Sequence, residues 1–324
     1  MIIVSTFIVS FIIIILLLYF YTFRQVQKLP FNSPYNFLRL NNTNPETLTV
    51  ICFGDSITHG QVSHNYVNIL VEKMSKKGFN FINAGVNGNL VYNLIQRMDT
   101  IVDCNPNYIT ILIGTNDANS TLSEKNSARY IKNMSLPEKP DKDSFKKNYL
   151  YLIKELKKQT NAKIVLLSIP PIGEDKNHVS FERSKEYSEI IQNISIDQNV
   201  DYIPLHEKID EYLGPDNHPK ISYDEGYRWV MVKGFFLHFL FGYNFDRIAS
   251  KNGFVILTDF LHLNSSGAKI IASPQAKFLM KPPLGFESVI STTLELTTST
   301  ELMPLKRPFW ALVEFSSRAL LIEN

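Results

Sequence analysis

The chain has 324 residues and a mass of 37.2 kDa, with 33 Lys+Arg against 31 Asp+Glu. Its 44% hydrophobic and 12% aromatic content can bury a full core, which excludes general disorder, and no stripe of Lys/Arg marks a nucleic-acid partner. Cys52 and Cys104 are too few for a disulfide framework or a Cys-based zinc site, and each lies in an apolar run, as small buried hydrophobes do.

Residues Ile2 to Phe23 carry no charge and are mostly Ile, Leu, Val and Phe. A helix of that length spans about 30 Å, the thickness of a bilayer's hydrocarbon core. Tyr19, Tyr21 and Phe23 stand at its end, where aromatic rings favour the headgroup zone. A cleaved signal peptide is the competing reading, but the run is too long and no small-residue cleavage site follows it. The expectation is an uncleaved, single-pass membrane anchor over residues 1–23. Arg24 and Lys28 after the span favour a cytoplasmic body. Asn-x-Ser/Thr triplets at Asn41, Asn119, Asn133, Asn193 and Asn264 point the other way, so the side of the membrane stays open.

Residues 24–46, with Pro30, Pro34 and Pro45, read as a linker. From Leu48 onward, short apolar runs alternate with helical patterns. Leu48–Phe53, Phe79–Asn83, Tyr108–Ile113 and Lys163–Ile169 are brief and rich in Val, Ile and Phe, as strands buried on both faces are. Tyr66–Lys77 places Tyr66, Ile69, Leu70 and Met74 on one helical face; Leu90–Val102 and Ser144–Gln159 repeat the pattern. The alternation predicts right-handed crossovers and a parallel sheet of about five strands in one α/β domain, residues 47–280, with Gly253–Thr258 as its last strand. An apolar insert falls around 208–250, and residues 281–324 read as an irregular tail.

The polar residues follow the strands. Gly54-Asp55-Ser56-Ile57-Thr58 comes after the first, Ala84-Gly85-Val86-Asn87-Gly88-Asn89 after the second and Gly114-Thr115-Asn116-Asp117 after the third. In an open parallel sheet such loops share the carboxyl edge, where ligands bind. Ser56 offers a hydroxyl at a strand-to-helix turn, Gly88 an unshielded N–H and Asn116 a carboxamide donor, which together suit an oxyanion hole. A serine needs a base. Asp259-Phe260-Leu261-His262 supplies one, because a three-residue offset lets the carboxylate turn back onto the imidazole.

This ordered set of blocks resembles the SGNH (GDSL-type) hydrolase superfamily over about residues 48–280. The resemblance implies a flavodoxin-like three-layer α/β sandwich that hydrolyses carboxylic esters and thioesters without a metal or other cofactor. It implies Ser56 as nucleophile, Asp259 and His262 as the rest of a triad, and the Ser56 N–H, Gly88 and Asn116 as oxyanion donors. Ile57 replaces the Leu of the family's name motif, and Asn89 stands where the family has Asp.

Asp55 and Asp117 read as caps or loop braces, and His59 as a candidate pocket-lining residue. The remaining histidines, His64, His178, His206, His218 and His238, lack metal-ligand spacing. Trp229 to Tyr243 is apolar but too short to span a bilayer; it reads as a core helix, a lid or an interfacial helix. The expectation is a membrane-anchored serine hydrolase acting on a small-molecule or lipid ester, with no nucleic-acid partner and its oligomeric state open. A non-enzymatic binding protein on the same fold and an acyltransferase using the same triad are the alternatives.

Overall fold

The computed structural model describes residues 2–40, 46–215, 217, 219–224 and 226–280, so the tail expected over 281–324 lies outside the described residues. All elements below belong to one compact unit, Met1–Leu279. The chain opens with α1 (Ile2–Val26). Within it, Val9–Val26 has a mean hydropathy of 1.9 and is long and apolar enough to cross a membrane, with 11% of it buried. The stretch expected as a linker carries α2 (Pro34–Leu40), whose Phe37 joins the core; proline suits a first helical turn because its missing N–H would be unpaired there anyway.

The sheet domain then begins with β1 (Leu48–Gly54), α3 (Ser56–His59), α4 (Tyr66–Met74) and β2 (Phe79–Gly85). Asn65 starts α4 by accepting from the Val67 and Asn68 N–H groups. The expected helix Leu90–Val102 is broken into α5 (Val91–Gln96) and α6 (Met98–Asp103) at Arg97, where φ is −126°. Next come β3 (Tyr108–Leu112), α7 (Thr115–Ser120), α8 (Glu124–Met134), α9 (Lys142–Gln159) and β4 (Lys163–Leu167). The chain continues through α10 (Val179–Asp197), β5 (Asp201–Ile203), α11 (Leu205–Leu213), α12 (Tyr227–Phe241), α13 (Phe245–Asn252) and α14 (Ser265–Leu279).

The five strands pair in the order β2-β1-β3-β4-β5, all parallel. The crossover from β1 to β2 runs one way across the sheet and the later ones run the other. Right-handed connections therefore put α4 on one face and α5, α6, α9 and α10 on the opposite face. Consistent with this, α4 packs on α14, while α5 and α6 pack on α9 and α9 on α10. The strands are buried on both faces: Val50–Phe53 of β1 and Ile164–Leu167 of β4 have almost no exposure.

The strand expected at Gly253–Thr258 is not part of the sheet; the fifth strand is β5, only three residues long. The reason is a buried carboxylate. Glu174 accepts the N–H groups of Val255, Ile256 and Leu257, each at 2.8 Å, so these donors are unavailable to a neighbouring strand. The run retains one antiparallel bridge, Leu257 to Leu263.

Candidate active site

The register sets the site. Gly54 lies opposite both Gly85 of β2 and Leu112 of β3, so three strands end flush. The chain turns to opposite sides of β1 at this point, which makes the rim between β1 and β3 the switch point of the sheet. Gly54 permits the tight exit: a Cβ there would collide with the Leu112 carbonyl oxygen and the Thr58 hydroxyl. Asp55 caps α3, its Oδ1 accepting the Ile57 N–H at 3.0 Å, and Ser56 is the first helical residue.

Ser56 Oγ lies 3.0 Å from His262 Nε2, across 206 positions of sequence. His262 Nδ1 lies 2.9 Å from Asp259 Oδ2. A carboxylate only accepts, so Nδ1 carries the proton and Nε2 presents its lone pair to the serine hydroxyl. The turn is held by the same aspartate: Asp259 Oδ1 accepts the N–H groups of Leu261 at 2.7 Å and His262 at 2.9 Å. Glu174 fixes the segment leading into that turn. Ser56, Asp259 and His262 are all buried. Burial alone pulls the His262 pKa down, but the Asp259 charge and hydrogen bond, with Asp55 adding to them, leave it above the ordinary imidazole value.

The three residues expected as oxyanion donors share one cavity with the histidine: it is about 330 Å³ in volume and its lining includes Ser56, Gly88, Asn116 and His262. Gly88 has φ +77°, a backbone conformation that favours glycine, and a Cβ there would press on Met134 Cε at 2.8 Å. Asn116 is buried at the start of α7, its orientation set by Tyr130, which donates to Oδ1 at 2.7 Å. Its Nδ2 donates to the Asn89 carbonyl at 3.0 Å. Asn89 Oδ1 in turn accepts from Arg97 Nε at 2.9 Å, so the asparagine at this position keeps its loop braced. Arg97 also donates to the Ala84 and Gly54 carbonyls, at 2.9 and 2.8 Å, tying the ends of β2 and β1 together beneath the site.

Asp117 braces the start of α5, its two oxygens each 3.3 Å from the Val91 N–H, and burial pushes its pKa up to about 8. Asp55, also raised by burial, stands at about 6. His59, expected as a candidate lining residue, is not part of the cavity lining: it is buried beside the Lys28 carbonyl, and burial lowers its pKa to about 4. Two sequon asparagines are closed to a glycan: Asn119 and Asn264 are buried with their side chains hydrogen-bonded.

Tyr130, Arg97 and Glu174 position the site yet carry no signal in spacing, because each acts on main chain or side chains far away in sequence. The apolar stretch Trp229–Tyr243 forms most of α12, which is a wall of the cavity through Met231, Val232, Phe235 and Phe236. Among its described residues only Tyr227 and Gly234 are buried, so it is not a core helix.

Residues 52–270 match the model of the GDSL-like Lipase/Acylhydrolase family. The chain is 31% identical over 143 residues to "Uncharacterized lipoprotein YqeF" of Bacillus subtilis (strain 168), covering 41% of this chain and 53% of that protein. It thus spans about half the length of that relative. Among solved structures, acetylxylan esterase Axe2 from Geobacillus stearothermophilus is 16% identical with a TM-score of 0.51, covering 72% of this chain and 95% of that one. The acetyl xylan esterase AlAXEase is 25% identical with a TM-score of 0.47, covering 72% of this chain and 100% of that one. At 16% identity the likeness to Axe2 speaks to the fold alone, and the family match covers most of the sheet domain, including Ser56, Gly88, Asn116, Asp259 and His262. The chain belongs to the GDSL-like Lipase/Acylhydrolase family, a family of carboxylic ester hydrolases.

Proposed function

We propose that this protein is a membrane-anchored serine hydrolase that cleaves carboxylic acyl esters or thioesters through an acyl-enzyme on Ser56. The observation that carries the reading is the hydrogen-bonded relay from Ser56 through His262 to Asp259, opening on a cavity shared with Gly88 and Asn116. His262 takes the proton as Ser56 Oγ attacks the acyl carbon, and Asp259 stabilises the imidazolium. The developing oxyanion is met by the N–H groups of Ser56 and Gly88 and by Asn116 Nδ2. Among the described residues, no hydrogen bond engages the Gly88 N–H in the resting site. His262 then returns its proton to the leaving alcohol or thiol. Water attack on the acyl-enzyme, assisted by the same imidazole, releases the acid and restores Ser56.

The anchor is α1, by the length and hydropathy of Val9–Val26; the similarity to a lipoprotein is in keeping with a place at a membrane. The test is labelling with a fluorophosphonate probe together with hydrolysis of p-nitrophenyl esters. The wild type is expected to label and turn over, and Ser56→Ala to do neither. Wild-type turnover retained by Ser56→Ala would refute the mechanism.

A further inference from the structure

The N-terminal helix does more than run beside the domain. The carbonyl of Val26, its last residue, accepts from Asn87 Nδ2 at 2.7 Å, one position before the proposed oxyanion donor Gly88. Tyr19, Thr22, Phe23 and Val26 line the same cavity as Ser56 and His262. Thr22 is only 4% exposed, and its hydroxyl has no hydrogen-bond partner. A threonine inside a helix ordinarily returns its hydroxyl to a carbonyl one turn back. A buried polar atom left unpaired is unfavourable until a ligand meets it. Asn87 Oδ1, on the same cavity lining, is also buried without a partner.

A second groove runs up from this point between α1 and α12, lined by Ile15, Leu16, Leu18, Tyr19, Phe236 and Leu240. Tyr19 and Phe236 line both spaces, so the groove continues into the catalytic cavity. Leu16 stands about 9 Å further along the apolar span than Thr22, from the rise of a helix. A polar site at the foot of a span, with an apolar channel leading deeper, matches the layout of a lipid ester, whose carbonyl lies at the interface and whose chain lies in the hydrocarbon. The rest of the α12 surface fits an interfacial position, for Trp229 and Phe241 are 78% and 68% exposed.

We propose that the substrate is an acyl ester resident in the bilayer, which enters sideways between α1 and α12. Its chain lies along Ile15, Leu16 and Leu240, Tyr19 and Phe236 flank its passage to Ser56, and the Thr22 hydroxyl meets its polar end. The anchor is then one wall of the substrate site. This rests on the serine-hydrolase reading and adds the substrate's location and route. The chemistry is unchanged: the bond from Ser56 Oγ to the acyl carbon forms as the acyl C–O bond breaks, and the alcohol leaves with the proton from Ser56. Water then gives its hydroxyl to the acyl group and its remaining proton, through His262, to Ser56 Oγ.

The test uses the full chain in vesicles of ether-linked phosphatidylcholine, which contain no carboxylic ester of their own, doped with p-nitrophenyl palmitate; p-nitrophenyl acetate in the water phase is the second substrate. Leu16→Trp and Leu240→Trp fill the groove from either side. An indole in the groove shuts the palmitoyl chain out of its seat but leaves the acetyl group room, so either variant is expected to lower the palmitate-to-acetate ratio of kcat/KM by about tenfold or more. Thr22→Val keeps the side-chain shape and is expected to lower palmitate turnover while leaving Tm unchanged or raised. A parallel loss on both esters, or no loss on either, overturns the proposal. If Ser56 labels but chain length has no effect in the wild type, the bilayer route alone fails. If the wild type neither labels nor hydrolyses either ester, the serine-hydrolase reading fails with it.

Discussion

The two walls of the cavity are built on opposite principles. The sheet-edge wall is polar, buried and wired: Ser56, Asn116, Asp259 and His262 each have a hydrogen-bond partner within about 3 Å, and Arg97 and Glu174 hold their supports from behind. The α1–α12 wall is apolar and sparsely bonded. Its links to the rest run through Asn87 at the foot of α1 and through Tyr227 at the start of α12, where the tyrosine hydroxyl accepts from Asn119 Nδ2 at 3.1 Å. Under the proposed function, the difference follows from the work each wall would do. Charge development in a transition state is stabilised by dipoles that are already in place, whereas an acyl chain needs only apolar area removed from water. The two walls meet at Asn116, because Asn119 also donates to Tyr130, whose hydroxyl sets the orientation of the Asn116 amide.

Substitutions on the polar wall should break the chemistry in proportion to how directly each group meets the reacting atoms. After Ser56→Ala, the largest effect is expected for Asp259→Asn. It should lower kcat by about 10⁴, since an amide no longer selects the tautomer that leaves Nε2 free. The same variant sharpens the electrostatics. His262 acts as a base only when neutral, so wild-type kcat/KM should fall as pH drops through a His262 pKa held above its ordinary value. Removing the Asp259 charge should move that acidic limb to lower pH; a limb that stays in place would mean the carboxylate does not govern the imidazole. Asn116→Ala should cost about 10²–10³ in kcat with the fold intact, the usual loss for one oxyanion donor; circular dichroism beside the kinetics checks both halves. The smallest effect is expected from a support. Glu174→Gln exchanges one acceptor oxygen for an amide that faces the main-chain N–H groups of residues 255–257, and should lower the unfolding free energy by about 1–3 kcal/mol. Unchanged stability in denaturant would show that the three hydrogen bonds do not hold this segment.

Much of the polar wall was legible because its residues sit at fixed offsets from strand ends. A strand of two-sided apolar residues followed by glycine and a polar turn identifies itself locally, and Ser56, Gly88 and Asn116 were placed that way. The Asp259–His262 pair was legible for a similar reason, since its geometry is closed within one turn. The missed features are those in which one residue serves a distant part of the main chain. Gly253–Thr258 has the composition of a strand, and only the arrival of Glu174 from some eighty positions away withdraws its donors. The opposite error occurred at β5, whose three residues are too short to show a period but pair because β4 offers an open edge. Residues 24–46 concealed α2 for the same reason, as Phe37 is apolar only in relation to the core it meets.

By itself, then, the amino-acid order determined the parallel α/β architecture, the apolar span and the choice of candidate reactive groups, because each is encoded by neighbours within about one helical turn or one strand. Only the tertiary structure decided that Ser56 and His262 meet, that α12 stands as a wall instead of entering the core, and that α1 lines the cavity with Thr22 turned inward. Those are contacts between segments far apart in the chain, where the free energy comes from shared burial and paired hydrogen bonds, and no local pattern records which distant surface a side chain will find.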